Sequence, residues 1–181
     1  MERWVDGKLL YEGRVVSLRV GNVELDDGTI ALREVVVHPG GVAVVPVKDD
    51  KVILVRQFRI AIGEDVLELP AGKLEKGEDP EARGRAELEE ETGFRAGRMI
   101  SAGSIYATVG YSSEIIYLYF AFDLEHIGQN MEFDERIDIV ELPVSEIAAR
   151  IADGTIRDAK TIIGLQSLVR YLATEHTCGG H

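Results

Sequence analysis

Apolar and polar residues alternate along the first part of the chain, and β-branched residues then gather into continuous runs. The alternation predicts strands over Leu9–Tyr11, Arg14–Leu25 and Thr29–His38, with Asp26-Asp27-Gly28 as the hairpin turn between the last two. His38-Pro39-Gly40-Gly41 breaks the pattern. Val42–Val47 and Val52–Phe58, joined by the polar Lys48-Asp49-Asp50-Lys51, have the composition of buried strands in a second sheet. A boundary near residue 40 therefore separates an N-terminal antiparallel β subdomain, 1–40, from a main domain, 41–175. Residues 176–181 are expected to be a flexible tail, which argues against a metal site at His176, Cys178 and His181 beside Gly179 and Gly180.

The period then changes. Ala71–Asp79 is Gly-rich and charged, hence a loop; Pro80 suits the first turn of a helix running to about Thr92, and Gly93 stops it. Ile100–Ala107, Glu114–Phe122 and Ile137–Leu142 are further strands, with an acidic loop over 124–136. Ser145–Ala152 and Asp158–Leu172 are expected helices, the second capped by Asp158 and carrying Ile162, Ile163, Leu165, Val169 and Leu172 at helical spacing. Strands on either side of one central helix, with helices at the end, make a mixed α/β layered domain.

Composition narrows the setting. The chain has 181 residues, enough for a real core, and its longest apolar run, Ile115–Phe122, is far short of the ~18–20 residues that span a bilayer. The N-terminal residues lack the basic start and apolar stretch of a signal peptide, and one cysteine allows no internal disulfide, so a cytoplasmic protein is expected. A net charge of −12 argues against a nucleic-acid surface. It is compatible with a phosphorylated small substrate once divalent cations sit among the carboxylates.

The chemistry concentrates in Glu87-Leu88-Glu89-Glu90-Glu91-Thr92-Gly93-Phe94. On a helix, Glu87, Glu90 and Glu91 stand at i, i+3 and i+4 and share a face, whereas Glu89 points away. Three carboxylates on one face repel each other unless a cation lies among them, and hard oxygen donors at this density suit Mg2+ or Mn2+. Upstream lie Leu69-Pro70-Ala71-Gly72-Lys73 and Glu78. Together these segments resemble the Nudix box, G-x(5)-E-x(7)-R-E-U-x-E-E-x-G-U with U apolar. Gly72, Glu78, Glu87, Leu88, Glu90, Glu91, Gly93 and Phe94 are in register over 23 positions. One box position departs: Ala86 replaces the family's arginine. Arg83, four residues before Glu87 on its face, and Arg85, one position from the expected place, are the nearby cations.

The resemblance extends over roughly residues 9–172. Glu12-Gly13-Arg14-Val15-Val16-Ser17-Leu18, Arg56-Gln57-Phe58-Arg59 and Leu67-Glu68-Leu69-Pro70-Ala71-Gly72-Lys73 look like the ADP-ribose pyrophosphatase subgroup. It implies an α/β/α sandwich around a mixed sheet, preceded by an N-terminal antiparallel β subdomain that contributes to a homodimer. It also implies Mg2+-dependent hydrolysis of a nucleoside diphosphate sugar, ADP-ribose first, to AMP and ribose 5-phosphate. Mn2+ is a possible substitute metal. Carried over by position, the metal ligands are the Ala71 carbonyl, Glu87, Glu90 and Glu91, and the substrate-binding residues are Arg56, Arg59, Glu68 and Glu114. The general base is either Glu90 on the helix or Glu135 on the acidic loop, with Glu91 also in the catalytic set. A second departure, Val109 before Gly110 where the subgroup commonly has Pro, bears on the substrate. Another Nudix enzyme with a different nucleotide substrate, or a non-catalytic binding module, are the alternatives.

Overall fold

The β-branched runs after Gly40 form the centre of the molecule. The structure is a computed structural model that describes residues 1–129 and 136–178, with side chains through Glu175. Strands β1 (Arg3–Trp4), β2 (Lys8–Glu12), β3 (Ser17–Glu24) and β4 (Ile30–Val37) come first, followed by β5 (Gly41–Lys48) and β6 (Lys51–Arg59). Then come β7 (Glu64–Glu68), β8 (Ala71–Lys73), helix α1 (Pro80–Glu87), β9 (Phe94–Tyr106), β10 (Ile115–His126) and β11 (Ile137–Pro143). Helices α2 (Ile147–Ala152) and α3 (Ala159–Cys178) close the chain.

The main sheet runs β11-β6-β5-β10-β9, with β7 on β6 and β8 on β5. It is mixed, because β5 and β10 are parallel while the other pairs are antiparallel. Side chains alternate across β5 and feed two cores. Val42 and Val44 face α1, where a Cβ added to Gly84 would lie 3.1 and 3.2 Å from their methyl groups. Ala43 and Val45 join Leu54, Leu165 and Leu168 under α3, where Gly164 allows close approach to Val45 and Leu69. Val44, Ile53, Leu88 and Phe94 form the core beneath the box helix. The result is the expected α/β/α sandwich.

The first four strands make a separate antiparallel sheet. β3 is central, with β1 and β2 pairing with successive stretches of it and β4 pairing along its whole length. Leu25 N–H and Gly28 N–H close the Asp26-Asp27-Gly28 turn onto Thr29 O and Leu25 O. This sheet meets the main body at a Val36–Ser112 bridge and through Lys73 Nζ, which donates to Arg14 O at 3.2 Å. Leu10 and Leu32 remain 62% and 61% exposed.

Several boundaries differ from the pattern-based expectation. β7 was not foreseen, and the expected loop from Ala71 opens instead with β8, because Gly41–Ala43 supply a pairing edge. β9 begins directly after Gly93, well before Ile100, and β10 continues to His126 into the segment expected as acidic loop. α3 extends past Leu172 to Cys178, as no breaker precedes Gly179. The box helix is α-helical only to Glu87 and then widens into a π turn over Leu88–Thr92.

Candidate active site

Local chemistry shapes the loop and helix that carry the carboxylates. Glu78 Oε2 accepts the Glu75 N–H at 2.8 Å and closes the loop, and Asp79 caps α1 by accepting the Ala82 N–H at 3.0 Å. Pro80 fills the first helical turn. Gly93 ends the π turn in the left-handed conformation, φ 72°. A Cβ there would lie 2.7 Å from the Gly128–Gln129 backbone, so only glycine lets the end of β10 cross the helix terminus. Ile127 N–H and Gly128 N–H donate to Gly93 O, and Gln129 Nε2 donates to Glu91 O at 2.7 Å.

Glu87 and Glu91 are 5% and 4% exposed and converge on the backbone of β8. Ala71 N–H donates to Glu91 Oε2 at 3.1 Å. Glu87 lies so close to Gly72 that a Cβ would fall 1.5 Å from its Oε1, which explains the box glycine as a cradle for a carboxylate. Glu90 stands on the more open side, and Glu89 turns outward to Arg95 at 2.7 Å. Arg83 pairs with Glu87 and reaches Glu90 at 3.8 Å. Burial pulls its pKa down, but the charges of Glu87, Glu90 and Glu78 more than offset this and raise it. Arg85 instead binds Glu81 and the Ala96 carbonyl.

Among the described residues no three acidic or histidine side chains form a closed metal cage. The donor set nevertheless fits a hard divalent cation: Glu87 and Glu91 lie buried against the Ala71–Gly72 strand, with Glu90 beside them. These carboxylates and the Ala71 carbonyl are the donors that would hold it.

A second cluster lies where β7 runs into the box loop. Glu68, 4% exposed, accepts from Arg59 Nε at 2.6 Å and Nη2 at 3.2 Å, and from Lys160 Nζ. Lys160 also binds Asp158 at 3.0 Å. Asp158 caps α3 as expected, accepting the Thr161 N–H and hydroxyl, and Thr161 Oγ1 accepts the buried Leu69 N–H at 2.9 Å. Burial raises the Asp158 pKa, yet Lys160 and Thr161 hold it below the usual carboxylate value. Arg59 and Glu68 lie on one face of the β6–β7 ladder, whereas Arg56 is exposed on the other. Glu114 lines a cavity of about 390 Å3 with Ala71, Gly72 and Lys160. His38 Nδ1 accepts the Gly40 N–H there and lies 3.6 Å from Glu114.

The structure thus brings Ala71, Glu87, Glu91, Glu90, Arg59 and Glu68 to one end of the sheet, places Glu114 in a cavity shared with Ala71 and Gly72, and leaves Arg56 on the other face of the β6–β7 ladder. Glu135 lies outside the described residues. Sequence reasoning missed Lys160; its position beside the α3 cap was visible, but its partner Glu68 is 92 residues away.

The NUDIX domain family matches residues 37–163, and the chain belongs to that family. It is 39% identical to the methanol dehydrogenase activator of Bacillus methanolicus, over 97% of this chain and 96% of the relative. It is 36% identical to the ADP-ribose pyrophosphatase of Bacillus subtilis (strain 168), over 92% of each. A solved ADP compounds hydrolase has the same fold, with a TM-score of 0.87 over 96% of this chain and 95% of that one at 20% identity.

Proposed function

We propose that the chain is a Mg2+-dependent pyrophosphohydrolase of nucleoside diphosphate sugars, with ADP-ribose as the first substrate to test. The observation that carries this reading is the convergence of Glu87 and Glu91 on the Ala71–Gly72 strand, beside a guanidinium held in place by Glu68. A divalent cation bound there would neutralise diphosphate oxygens and lower the pKa of a water. Arg59, gripped through Nε and Nη2, keeps its other amino group for a phosphate oxygen, and Glu68 acts by positioning that group. Glu90 or Glu135 accepts the proton from the attacking water. Glu114, which lines the cavity beside Ala71 and Gly72, is assigned to the substrate, and Arg56 is kept for its phosphates or terminal ribose although it lies on the other face of the β6–β7 ladder. A homodimer built on the N-terminal sheet and a cytoplasmic setting complete the proposal.

Incubation with ADP-ribose and Mg2+ should release AMP and ribose 5-phosphate, identified by phosphorus NMR, and a chelator should abolish it. A panel of other nucleotide sugars ranks the base and sugar; absence of turnover on all of them would sink the enzymatic reading. The similarity to an activator protein favours a second reading, in which the chain regulates a dehydrogenase. Activation that survives Glu91→Gln would separate that role from hydrolysis.

A further inference from the structure

We infer that Arg83 is the positioning residue for Glu87 and Glu90, taking over from one turn earlier in the helix the place left vacant at Ala86. The inference rests on the proposed metal site and concerns how this chain keeps its carboxylates together. Arg83, Glu87 and Glu90 lie four and three residues apart in succession and share a face of the box helix. The Arg83 guanidinium pairs with Glu87 and reaches Glu90 through the same amino group.

This contact differs from an ordinary surface pair. The Arg83 side chain is only 27% exposed, the Glu87 side chain is buried, and Arg83 Nε is buried without a hydrogen-bond partner among the described residues. Desolvating a guanidinium and leaving one donor unmet is costly, so packing alone gives no reason for the arrangement. Holding two mutually repelling carboxylates in register does. The neighbouring candidate is otherwise occupied, since Arg85 binds Glu81 and the Ala96 carbonyl. Ala86 itself borders a cavity of about 220 Å3 with Glu89, Glu90, Ile127 and Gly128, so a longer side chain at that position has room to reach Glu90.

The test is a swap: Arg83→Gln, Arg83→Lys and Arg83→Gln combined with Ala86→Arg, each compared with the parent. Melting is followed in the metal-free protein and with Mn2+, and kcat and KM with Mg2+ and ADP-ribose. Arg83→Gln should lower the metal-free melting temperature and enlarge the rise that Mn2+ produces, because carboxylate repulsion is then relieved only by the metal. It should also lower kcat about 10- to 100-fold with little change in KM. Arg83→Lys should recover part of the loss, and Ala86→Arg in the Arg83→Gln background should recover more. Parent-like melting and turnover in Arg83→Gln would overturn the inference. So would a loss that neither Arg83→Lys nor the added Ala86→Arg repairs, since that would assign Arg83 to packing. The melting comparison needs no substrate, so it decides the role of Arg83 even if ADP-ribose is not hydrolysed.

Discussion

A carboxylate buried against a backbone strand depends on what it accepts there, and this separates charge from shape at Glu91. A glutamine at that position keeps an amide oxygen for the Ala71 N–H while losing the negative charge. Glu91→Gln should therefore melt like the parent and lose roughly two or more orders of magnitude in kcat. Glu90→Gln should do the same. Parent-like turnover in both would remove the box helix from the chemistry. The base is a separate question, because a carboxylate that binds a cation is held in its charged form and accepts a proton poorly. If Glu135 fills that role, Glu135→Gln should lower kcat by about 10²- to 10⁴-fold with KM and the Mg2+ requirement almost unchanged. Undiminished kcat at saturating substrate and metal would return the role to Glu90.

At the scale of elements, the start of α3 and the end of β7 form one unit through Thr161, which links the Asp158 carboxylate to the buried Leu69 N–H. Thr161→Val keeps the volume but strands that N–H, at a cost of about 1–3 kcal/mol, read as a lower melting temperature. Asp158 adds a pH signature. Its native pKa lies below its unfolded value, so its contribution is complete above the unfolded pKa of about 3.9 and is lost as pH falls through the native one. Asp158→Asn should flatten the acid limb of the stability curve below about pH 4–5; an unchanged acid limb would show that Lys160 and Thr161 hold nothing there. These elements were unequally legible in the sequence. The box helix was plain because cap, proline, carboxylate spacing and terminating glycine all act within a few residues. β7 was not, since Glu64-Asp65-Val66-Leu67-Glu68 has little alternation and becomes a strand by pairing with β6. The π turn escaped because it is closed by Thr92 Oγ1 donating to Leu88 O and ends at Gly93 against Gly128 and Gln129, a contact between residues distant in sequence. Glu68 was singled out, but its place between Arg59 and Lys160 required residues distant in sequence.

At the scale of the whole molecule, the N-terminal sheet carries more apolar surface than its own chain covers. Leu9, Leu10 and Tyr11 on β2, and Ile30 and Leu32 on β4, are all more than half exposed. A second copy of the sheet is the occupant proposed for that surface, and such an isologous contact buries the same residues on both copies. The sheet also touches the box loop through Lys73 and Arg14, so association has a route to the site that does not pass through the core. Leu10→Asp with Leu32→Asp is the more selective probe, because both side chains are exposed and the strands keep their backbone pairing. Removal of residues 1–34 is the stronger one; it spares the Val36 bonds to Tyr111 and Ser113 that tie the linker to the main domain. Light scattering should give a dimer for the parent and a monomer for both variants. Turnover should fall further in the truncated chain, where Lys73 loses the Arg14 carbonyl, than in the double substitution. A parent that is monomeric at micromolar concentration, or variants that stay dimeric, would assign the exposed strands to something other than self-association.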